Sequence, residues 1–216
     1  DRADPATMLA AGFDGRTSAI SSSSMKMFEA IGISHQLAGN GCPIEQIWVS
    51  DGLKPGALDF VPGAEDGYLG QMFENRFLRS ILYGAAKASD AITLHMPVGI
   101  ASKSRDGALA KVTLETGEVL TADLMIVAEG RQSQTRDEAG IKIAHWQYGH
   151  SAMVGAIFHE KPHGNVAYEI FYPSGPFAVL PMLDGEDGRH RSAIVWSVSE
   201  TDGKAYMKLS PRGYAA

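Results

Sequence analysis

The segment from Asp123 to Arg136 contains residues of the kinds that surround a phosphate or another anion. The apolar run 124–127 predicts a short buried strand, Gly130 predicts a tight turn, and 133–139 predicts the first turns of a helix. At such a junction, free backbone N–H groups and the positive end of the helix dipole point to one place. The pattern suits a bound anion, although many α/β crossovers with this pattern bind nothing.

Other kinds of chemistry find less support in the sequence. His145 and His150 lie five residues apart and His159 and His163 four apart, but no clustered carboxylate offers a third ligand, so we expect no metal site. Cys42 is the only cysteine, and no base is evident beside it. The chain also has no Gly-x-Ser-x-Gly elbow and no P-loop. Acyl transfer and disulfide scaffolds are therefore not supported.

Composition narrows the class of protein. The 216 residues suffice for one large or two small domains. A net charge of −6 gives no reason to expect a nucleic-acid partner. No apolar run reaches the length of a membrane span, which leaves only a peripheral membrane contact open. A single cysteine fits a reducing compartment.

The elements that must position these residues can be read from periodicity. The best amphipathic helix is 74–88, and a second helix is predicted over 18–31 with Thr17 or Ser18 as its N-cap. Residues 3–15 read as loop. Strands are predicted at 44–50, 57–61, 91–95, 99–104, 110–115 and 119–121, and then at 151–160, 166–172, 177–182 and 191–198. The fold class is therefore α/β (α+β), an α/β domain with an inserted β-meander followed by a mostly antiparallel sheet.

Three stretches, in this order, resemble the flavoprotein aromatic hydroxylases, the single-component FAD monooxygenases. Residues 15–21 (Gly-Arg-Thr-Ser-Ala-Ile-Ser) look like the loop whose arginine reaches the FAD pyrophosphate. Residues 70–76 (Gly-Gln-Met-Phe-Glu-Asn-Arg) are similar to the segment whose glutamine lies near the flavin. Residues 129–136 resemble the Asp-Gly fingerprint of the family, with Glu129 in place of the usual aspartate.

The C-terminal part narrows the resemblance. Residues 167–182 followed by 191–196 resemble the branch that hydroxylates polyprenylated phenols in ubiquinone biosynthesis. The resemblance implies FAD and NAD(P)H as cofactors and O₂ as co-substrate. It implies these cofactor-binding residues: Asp1, Arg16, Gln71, Arg76, Glu129, Gly130, Ser133 and Arg136. The candidates for the substrate wall are Tyr172, Phe177, Leu180 and Pro181, which are equally compatible with plain sheet core.

The resemblance also predicts the domain organisation. Residues 1–144 would be a partial Rossmann-like FAD-binding domain with inserted β segments at about 40–70 and 97–121, and 145–216 a β-rich substrate domain. The family's Gly-x-Gly-x-x-Gly turn and its Gly-Asp motif would lie outside 1–216, so we expect a fragment that by itself binds FAD weakly or not at all. The implied location is cytoplasmic, with contact to the inner membrane or to a ubiquinone-biosynthesis complex left open.

Two alternatives stay open at this point. One is a FAD monooxygenase of the same superfamily that acts on another aromatic substrate. The other is a β-rich ligand-binding module without redox activity. For Arg76 and Arg136, a structural ion pair is as good an interpretation as a cofactor contact.

Overall fold

The computed structural model describes residues 1–10, 12–54, 56–210 and 213. The strands are β1 (Thr17–Ser21), β2 (Cys42–Ile44), β3 (Gln46–Ser50), β4 (Ala57–Phe60), β5 (Gly70–Glu74), β6 (Ile100–Asp106), β7 (Leu109–Leu114), β8 (Val119–Ala122), β9 (His150–His159), β10 (Val166–Tyr172), β11 (Gly175–Met182) and β12 (His190–Ser199). The helices are α1 (Pro5–Ala10), α2 (Ser22–Ala30), α3 (Ser34–Leu37), α4 (Asn75–Ala88), α5 (Gln134–Glu138) and α6 (Glu200–Tyr206).

The chain divides into two compact units, each formed from two separate segments. The first unit contains 1–10 and 91–147, and the second contains the described residues of 11–90 and 148–216. The sequence prediction divides the chain by function instead, into 1–144 and 145–216, and that division stays a prediction. Among the described residues, no helix combines the length and the apolar character needed to cross a membrane.

The first unit is built on the predicted meander. Strands β6, β7 and β8 form an antiparallel sheet in that order, with one irregularity in the pairing of β6 and β7 between Ile100 and Ser102. The segment 123–133 that follows has no regular secondary structure, and it leads into α5. The meander is local in sequence, which explains why alternation and turn residues were enough to predict it.

A six-stranded sheet dominates the second unit. Its strand order is β4-β3-β10-β11-β12-β9, and every pair is antiparallel except β3 with β10. The hairpin β3–β4 and the strands β9 to β12 were all predicted. What the sequence did not indicate is that the hairpin joins the later strands in one sheet, through the parallel pairing of Gln46–Ser50 with Val166–Ile170.

A smaller antiparallel sheet, β1-β5-β2, completes the second unit. The hydrophobic core lies between the two sheets of this unit. It contains Cys42, Ile44 and Met72 from the small sheet, and Ala167, Met182 and Ala193 from the large sheet. Helices α2 and α4 contact β5. Burial on both sheets therefore fixes strand β5, which carries Gln71, against the large sheet.

Several local predictions were wrong. Residues 17–21 form β1 rather than the start of a helix, because they pair with β5, and Ser21 is the N-cap of α2 instead. Residues 91–95 form no strand, and the predicted loop 3–15 contains α1. Helix α6 was not predicted at all. In the first case a partner strand more than fifty residues away overrides the local pattern.

The predicted buried strand 124–127 was also wrong. Leu124 is 73% exposed and Ile126 is 81% exposed, and no described strand pairs with this segment. A strand that is buried on both faces needs neighbouring strands for its backbone hydrogen bonds and covering elements for its side chains. The apolar run supplies neither by itself.

Candidate functional site

The glutamate of the fingerprint closes the N-terminal turn of α5. Ser133 Oγ donates to Glu129 Oε2 at 2.7 Å, and the backbone N–H of Thr135 donates to the same oxygen at 3.0 Å. Thr135 Oγ1 donates to Glu129 Oε1 at 2.8 Å. These hydrogen bonds from Ser133 and Thr135, with Lys103 Nζ 3.9 Å away, lower the pKa of Glu129 to about 2. The carboxylate is therefore occupied by the chain's own donors.

Ser133 and Gly130 shape the same turn, as the sequence predicted. Ser133 is the N-cap of α5, and its Oγ accepts from the backbone N–H of Arg136 at 3.1 Å. Gly130 has a φ of +77°, a conformation that glycine adopts without steric cost. Among the described residues, no heavy atom outside the adjoining chain lies within 4 Å of a Cβ built on Gly130, so the space beside the turn is open. The predicted turn and helix are confirmed, and their contact with a cofactor stays a prediction.

Lys103 anchors this turn to the meander, and no sequence motif indicated this role. Its side chain is only 13% exposed, and Nζ donates to Thr135 Oγ1 at 2.7 Å. Nζ also lies 3.2 Å from Glu138 Oε2. The lysine thus joins strand β6 to helix α5 across thirty-two residues of sequence.

Arg136 also has partners within its own segment. Its Nη1 donates to the backbone carbonyl of Arg131 at 3.0 Å, and Nε and Nη2 donate to Asp137 Oδ1. Asp1, the remaining predicted residue of this unit, is exposed, and its carboxylate accepts from the backbone N–H of Ala3 at 2.8 Å. In the first unit, therefore, Glu129, Gly130, Ser133 and Arg136 form one cluster. Their cofactor role, like that of Asp1, stays a prediction.

Arg16 lies in the second unit, directly before β1. Its Nε and Nη2 both donate to Asp14 Oδ2, at 3.0 and 2.7 Å, and its side chain is 58% exposed. The hydrogen bond with Arg16 is the main cause that lowers the pKa of Asp14 to about 2. Arg79 Nη2 lies 3.4 Å from the same carboxylate oxygen. One edge of the Arg16 guanidinium is therefore used, while its Nη1 has no partner among the described residues.

Gln71 lies on the middle strand of the small sheet and lines a cavity of about 540 Å³. Serines, Lys26, Asp66 and Tyr68 also line this cavity. The side-chain amide of Gln71 makes no hydrogen bond with any described residue, so it can serve a ligand. Gln71 pairs with Ile20 of β1, four residues beyond Arg16. Arg16, directly before β1, and Gln71, on the neighbouring strand β5, are thus about 13 Å apart along the strand direction.

Arg76 has a carboxylate of the fold as its partner. Its Nε donates to Glu74 Oε2 at 2.5 Å, and its guanidinium carbon lies 4.8 Å from the centre of the Phe77 ring. Glu74 is buried, and its other oxygen accepts from Arg191 Nη2 at 2.7 Å. Sequence reasoning named the structural ion pair as an alternative for Arg76, but it missed Arg191. A pairing between residues 117 positions apart leaves no trace in one sequence.

The four candidates for the substrate wall do not share one surface. Leu180 packs against the core between the two sheets, and Pro181 is fully buried. Tyr172 is half-buried at the end of β10. Phe177 lines a groove of about 1,190 Å³ on the large sheet and lies edge-on to Trp196, with ring centres 6.2 Å apart. Strands β9 and β12, helix α6 and the two residues that follow it form the rest of the groove. A substrate role for each of the four stays a prediction.

No group of three or more histidine, cysteine, aspartate or glutamate side chains in the described part of the chain could hold a metal ion. His163 is fixed by two hydrogen bonds, because its Nδ1 accepts from the backbone N–H of Asn165 and its Nε2 donates to the carbonyl of Met182. His159 is likewise held between Lys161 and Ser192. These histidines pack and cap the sheet.

Comparison with known proteins identifies the family. Residues 9–212 match the family described as FAD binding domain. The chain belongs to this family.

Two curated relatives are similar over most of the chain. Ubiquinone hydroxylase UbiL of Rhodospirillum rubrum is 39% identical over 197 residues, which cover 91% of this chain and 45% of that protein. The 3-demethoxyubiquinol 3-hydroxylase of Escherichia coli is 30% identical over 198 residues, covering 91% of this chain and 49% of that protein. The chain thus spans about half the length of the curated relatives it matches.

Solved structures share the fold of this chain. PqsL of Pseudomonas aeruginosa, described as a probable FAD-dependent monooxygenase, superimposes with a TM-score of 0.75 at 17% identity, over 95% of this chain and 56% of its own. HpxO of Klebsiella pneumoniae, solved with FAD and uric acid, gives a TM-score of 0.63 at 16% identity, over 83% of this chain and 46% of its own. These likenesses confirm the predicted fold class.

The donor set of the second unit fits part of a FAD molecule. The free edge of Arg16 offers N–H groups suited to a phosphate oxygen, and the Gln71 amide offers both a donor and an acceptor to the polar edge of a flavin. Arg76 fits less well, since its Nε is committed to Glu74. In the first unit, Gly130 leaves open space, whereas the carboxylate of Glu129 is already satisfied.

Proposed function

We propose that the protein containing this chain is a FAD-dependent monooxygenase that hydroxylates the aromatic ring of a polyprenylated phenol in ubiquinone biosynthesis. The observation that carries the proposal is the match of 9–212 to the FAD binding domain family together with 39% identity to a ubiquinone hydroxylase. The cofactors are FAD and NAD(P)H, and O₂ is the co-substrate.

When bound, FAD would supply the redox chemistry, by accepting a hydride from NAD(P)H and passing two electrons to O₂. In the balanced reaction, NAD(P)H, a proton, O₂ and a ring C–H give NAD(P)⁺, water and a ring C–OH. The chain's own residues have three tasks: to bind the cofactor, to orient the ring and to exclude water.

The roles of individual residues follow from their contacts. Arg16 would bind a phosphate oxygen of FAD through Nη1, while Asp14 holds the other edge of its guanidinium. Gln71 would hydrogen-bond the flavin. In the first unit, Glu129 and Ser133 would shape the turn at Gly130 rather than contact the cofactor through the carboxylate, because both oxygens of Glu129 already accept hydrogen bonds.

The proposal extends to location and partners. A polyprenyl chain is strongly apolar, and its transfer from water into a bilayer is favoured by about 25 cal/mol for each Å² removed from water. We therefore place the protein in the cytoplasm, peripheral to the inner membrane or within a ubiquinone-biosynthesis complex. A nucleic-acid partner forms no part of the proposal, since the net charge is −6.

The test is an assay of the purified protein that contains this chain, supplied with FAD, NAD(P)H and O₂. Turnover of a polyprenylphenol is expected, and turnover of water-soluble phenols alone would point to another aromatic substrate instead. A protein that cannot be loaded with FAD would favour the binding module. Substitution R16A should weaken FAD binding by about 10- to 100-fold, since it removes a charge-assisted hydrogen bond. R189A, in an exposed turn, serves as the control and should leave FAD binding unchanged.

A further inference from the structure

A buried carboxylate joins the two sheets of the second unit. Glu74 ends strand β5 and is only 5% exposed. Each of its oxygens has its own guanidinium partner, Arg76 Nε on Oε2 at 2.5 Å and Arg191 Nη2 on Oε1 at 2.7 Å. Arg76 follows on α4, next to the small sheet, but Arg191 belongs to β12 of the large sheet. The Glu74–Arg191 pair is therefore a polar contact between two sheets that also share an apolar core.

Arg191 is held in one orientation by three different segments. Besides Glu74, its Nε donates to the backbone carbonyl of Leu183 at 3.1 Å. Its guanidinium carbon lies 5.5 Å from the centre of the Phe13 ring. The side chain is 16% exposed. A planar guanidinium with three fixed contacts holds the segments that it contacts at a defined distance and angle, which a flexible ammonium group does not do.

Stability alone does not explain such a pair. Removing a carboxylate and a guanidinium from water costs several kcal/mol each, and replacing a buried ion pair with apolar residues is often neutral. The best-attested use of a buried ion pair is to select one arrangement among several that an apolar interface would allow. The interface here is lined by residues such as Met72, Met182 and Leu180, whose side chains adapt to small shifts between the sheets.

The Glu74–Arg191 pair lies between the strands that carry the cofactor-binding candidates and the strands that carry the substrate candidates. Glu74 lies three residues after Gln71 on β5, and it faces Thr17 of β1, the residue after Arg16. On the other side, Arg191 pairs with Met182 of β11, the residue after Pro181. A slip between the sheets would therefore move Arg16 and Gln71 relative to the strands that carry the substrate candidates.

We propose that Glu74 and Arg191 are positioning residues that fix strand β5, with Gln71, against β11 and β12, and so fix the substrate ring relative to the flavin. The inference rests on the proposed function, because the ring and the flavin are the groups being aligned. It assigns no contact with substrate or cofactor to either residue.

The first test needs no cofactor. Variants E74Q, R191M and E74Q/R191M of the protein that contains this chain are compared by urea unfolding in a double-mutant cycle. Each single variant should raise the unfolding equilibrium constant by on the order of 10- to 100-fold, because it leaves a buried hydrogen-bonding group without its partner. The double variant should cost clearly less than the product of the two. Independent, multiplicative effects would overturn the inference.

The second test uses the FAD-loaded protein that contains this chain and measures hydroxylated product formed per NAD(P)H oxidised. If the ring is misaligned, NAD(P)H, a proton and O₂ give NAD(P)⁺ and H₂O₂, and no product forms. R191M should keep the rate of NAD(P)H oxidation within about 2-fold while product per NAD(P)H falls by on the order of 10-fold or more, since misplacement of about 1 Å costs up to 100-fold. R191K should lie between R191M and the parent, because it keeps the charge and loses the fork.

The control is R189M, the same substitution two residues away at an exposed pair with Asp187, and it should leave both quantities unchanged. A parental product ratio in R191M, or an equal fall in NAD(P)H oxidation and product, would overturn the positioning role. A parent that binds FAD but hydroxylates no polyprenylphenol would instead refute the proposed function. In that case the double-mutant unfolding cycle still tests the inference. The flavin absorbance spectrum tests it as well, because the spectrum of R191M should differ from that of the parent.

Discussion

Substitution G41A should destabilise the second unit, because the position of Gly41 leaves no room for a methyl group. A Cβ at this position would lie 2.4 Å from Cζ of Phe73 and 2.6 Å from Oε1 of Gln71. Phe73 is 1% exposed, so its ring cannot swing into solvent. To regain ordinary contact the ring would have to move by about 1 Å inside a close-packed interior.

The magnitude follows from the cost of overpacking. Inserting a methyl group into a well-packed core costs about 1–3 kcal/mol. The same substitution at Gly84, an exposed position in α4 with no heavy atom within 4 Å of the new Cβ, should instead stabilise by about 0.5–1 kcal/mol through helix propensity. The two variants therefore differ in sign although the chemical change is identical.

The assay is equilibrium urea unfolding followed by tryptophan fluorescence. Trp48 and Trp196 lie in the second unit, and a W146F background removes the tryptophan of the first. We expect the midpoint of G41A to fall by about 1 M with an unchanged slope. In an F73L background, which removes the two ring atoms that clash but leaves Gln71 Oε1, G41A should cost less. Equal stability of G41A and the parent, or an undiminished cost in F73L, would refute the packing argument.

Two further predictions concern titratable groups. The folded-state pKa of Glu129 lies at about 2, below the ordinary value of 4.5, so its contribution to stability should be complete above pH 4.5 and lost as the pH falls towards 2. In urea titrations, the difference in unfolding free energy between E129Q and the parent should therefore disappear over that pH range. A difference that stays constant with pH would contradict this prediction. Burial raises the pKa of Cys42 to about 11, so the native thiol should not react with a thiol-specific reagent at pH 8 but should react fully in denaturing urea; rapid labelling of the native protein would show the burial to be wrong.

Local chemistry explains which parts of the site could be predicted. The turn at Gly130 and the helix that begins after it depend on residues within a few positions of each other, and both were predicted, whereas the N-cap role of Ser133 was not. The same holds for helix α4, whose apolar residues recur at helical spacing. The motifs with Arg16 and Gln71 were also visible, because each motif is contiguous in the sequence.

The misses share a different cause. Residues 17–21 form a strand because β5 pairs with them. Residues 124–127 form no strand, because no described strand pairs with them. For Arg76 the sequence left two alternatives, a cofactor contact and a structural ion pair. The pairing of Glu74 with Arg191 on β12 was not predicted at all. Hydrogen-bond ladders and buried ion pairs join residues far apart in sequence, and a single sequence carries no record of such distances.

The sequence by itself determined the family resemblance, the fold class, the strand-rich second half and the turn at Gly130 with the helix after it, because these depend on composition and on short-range patterns. Only the tertiary structure decided which of those residues still have donors to offer. Glu129 and Arg76 are satisfied by neighbours in the fold, whereas the Gln71 amide and one edge of Arg16 keep open hydrogen-bonding capacity among the described residues. The physical reason is that a polar group in a folded chain pairs with whatever the packing brings within about 3 Å.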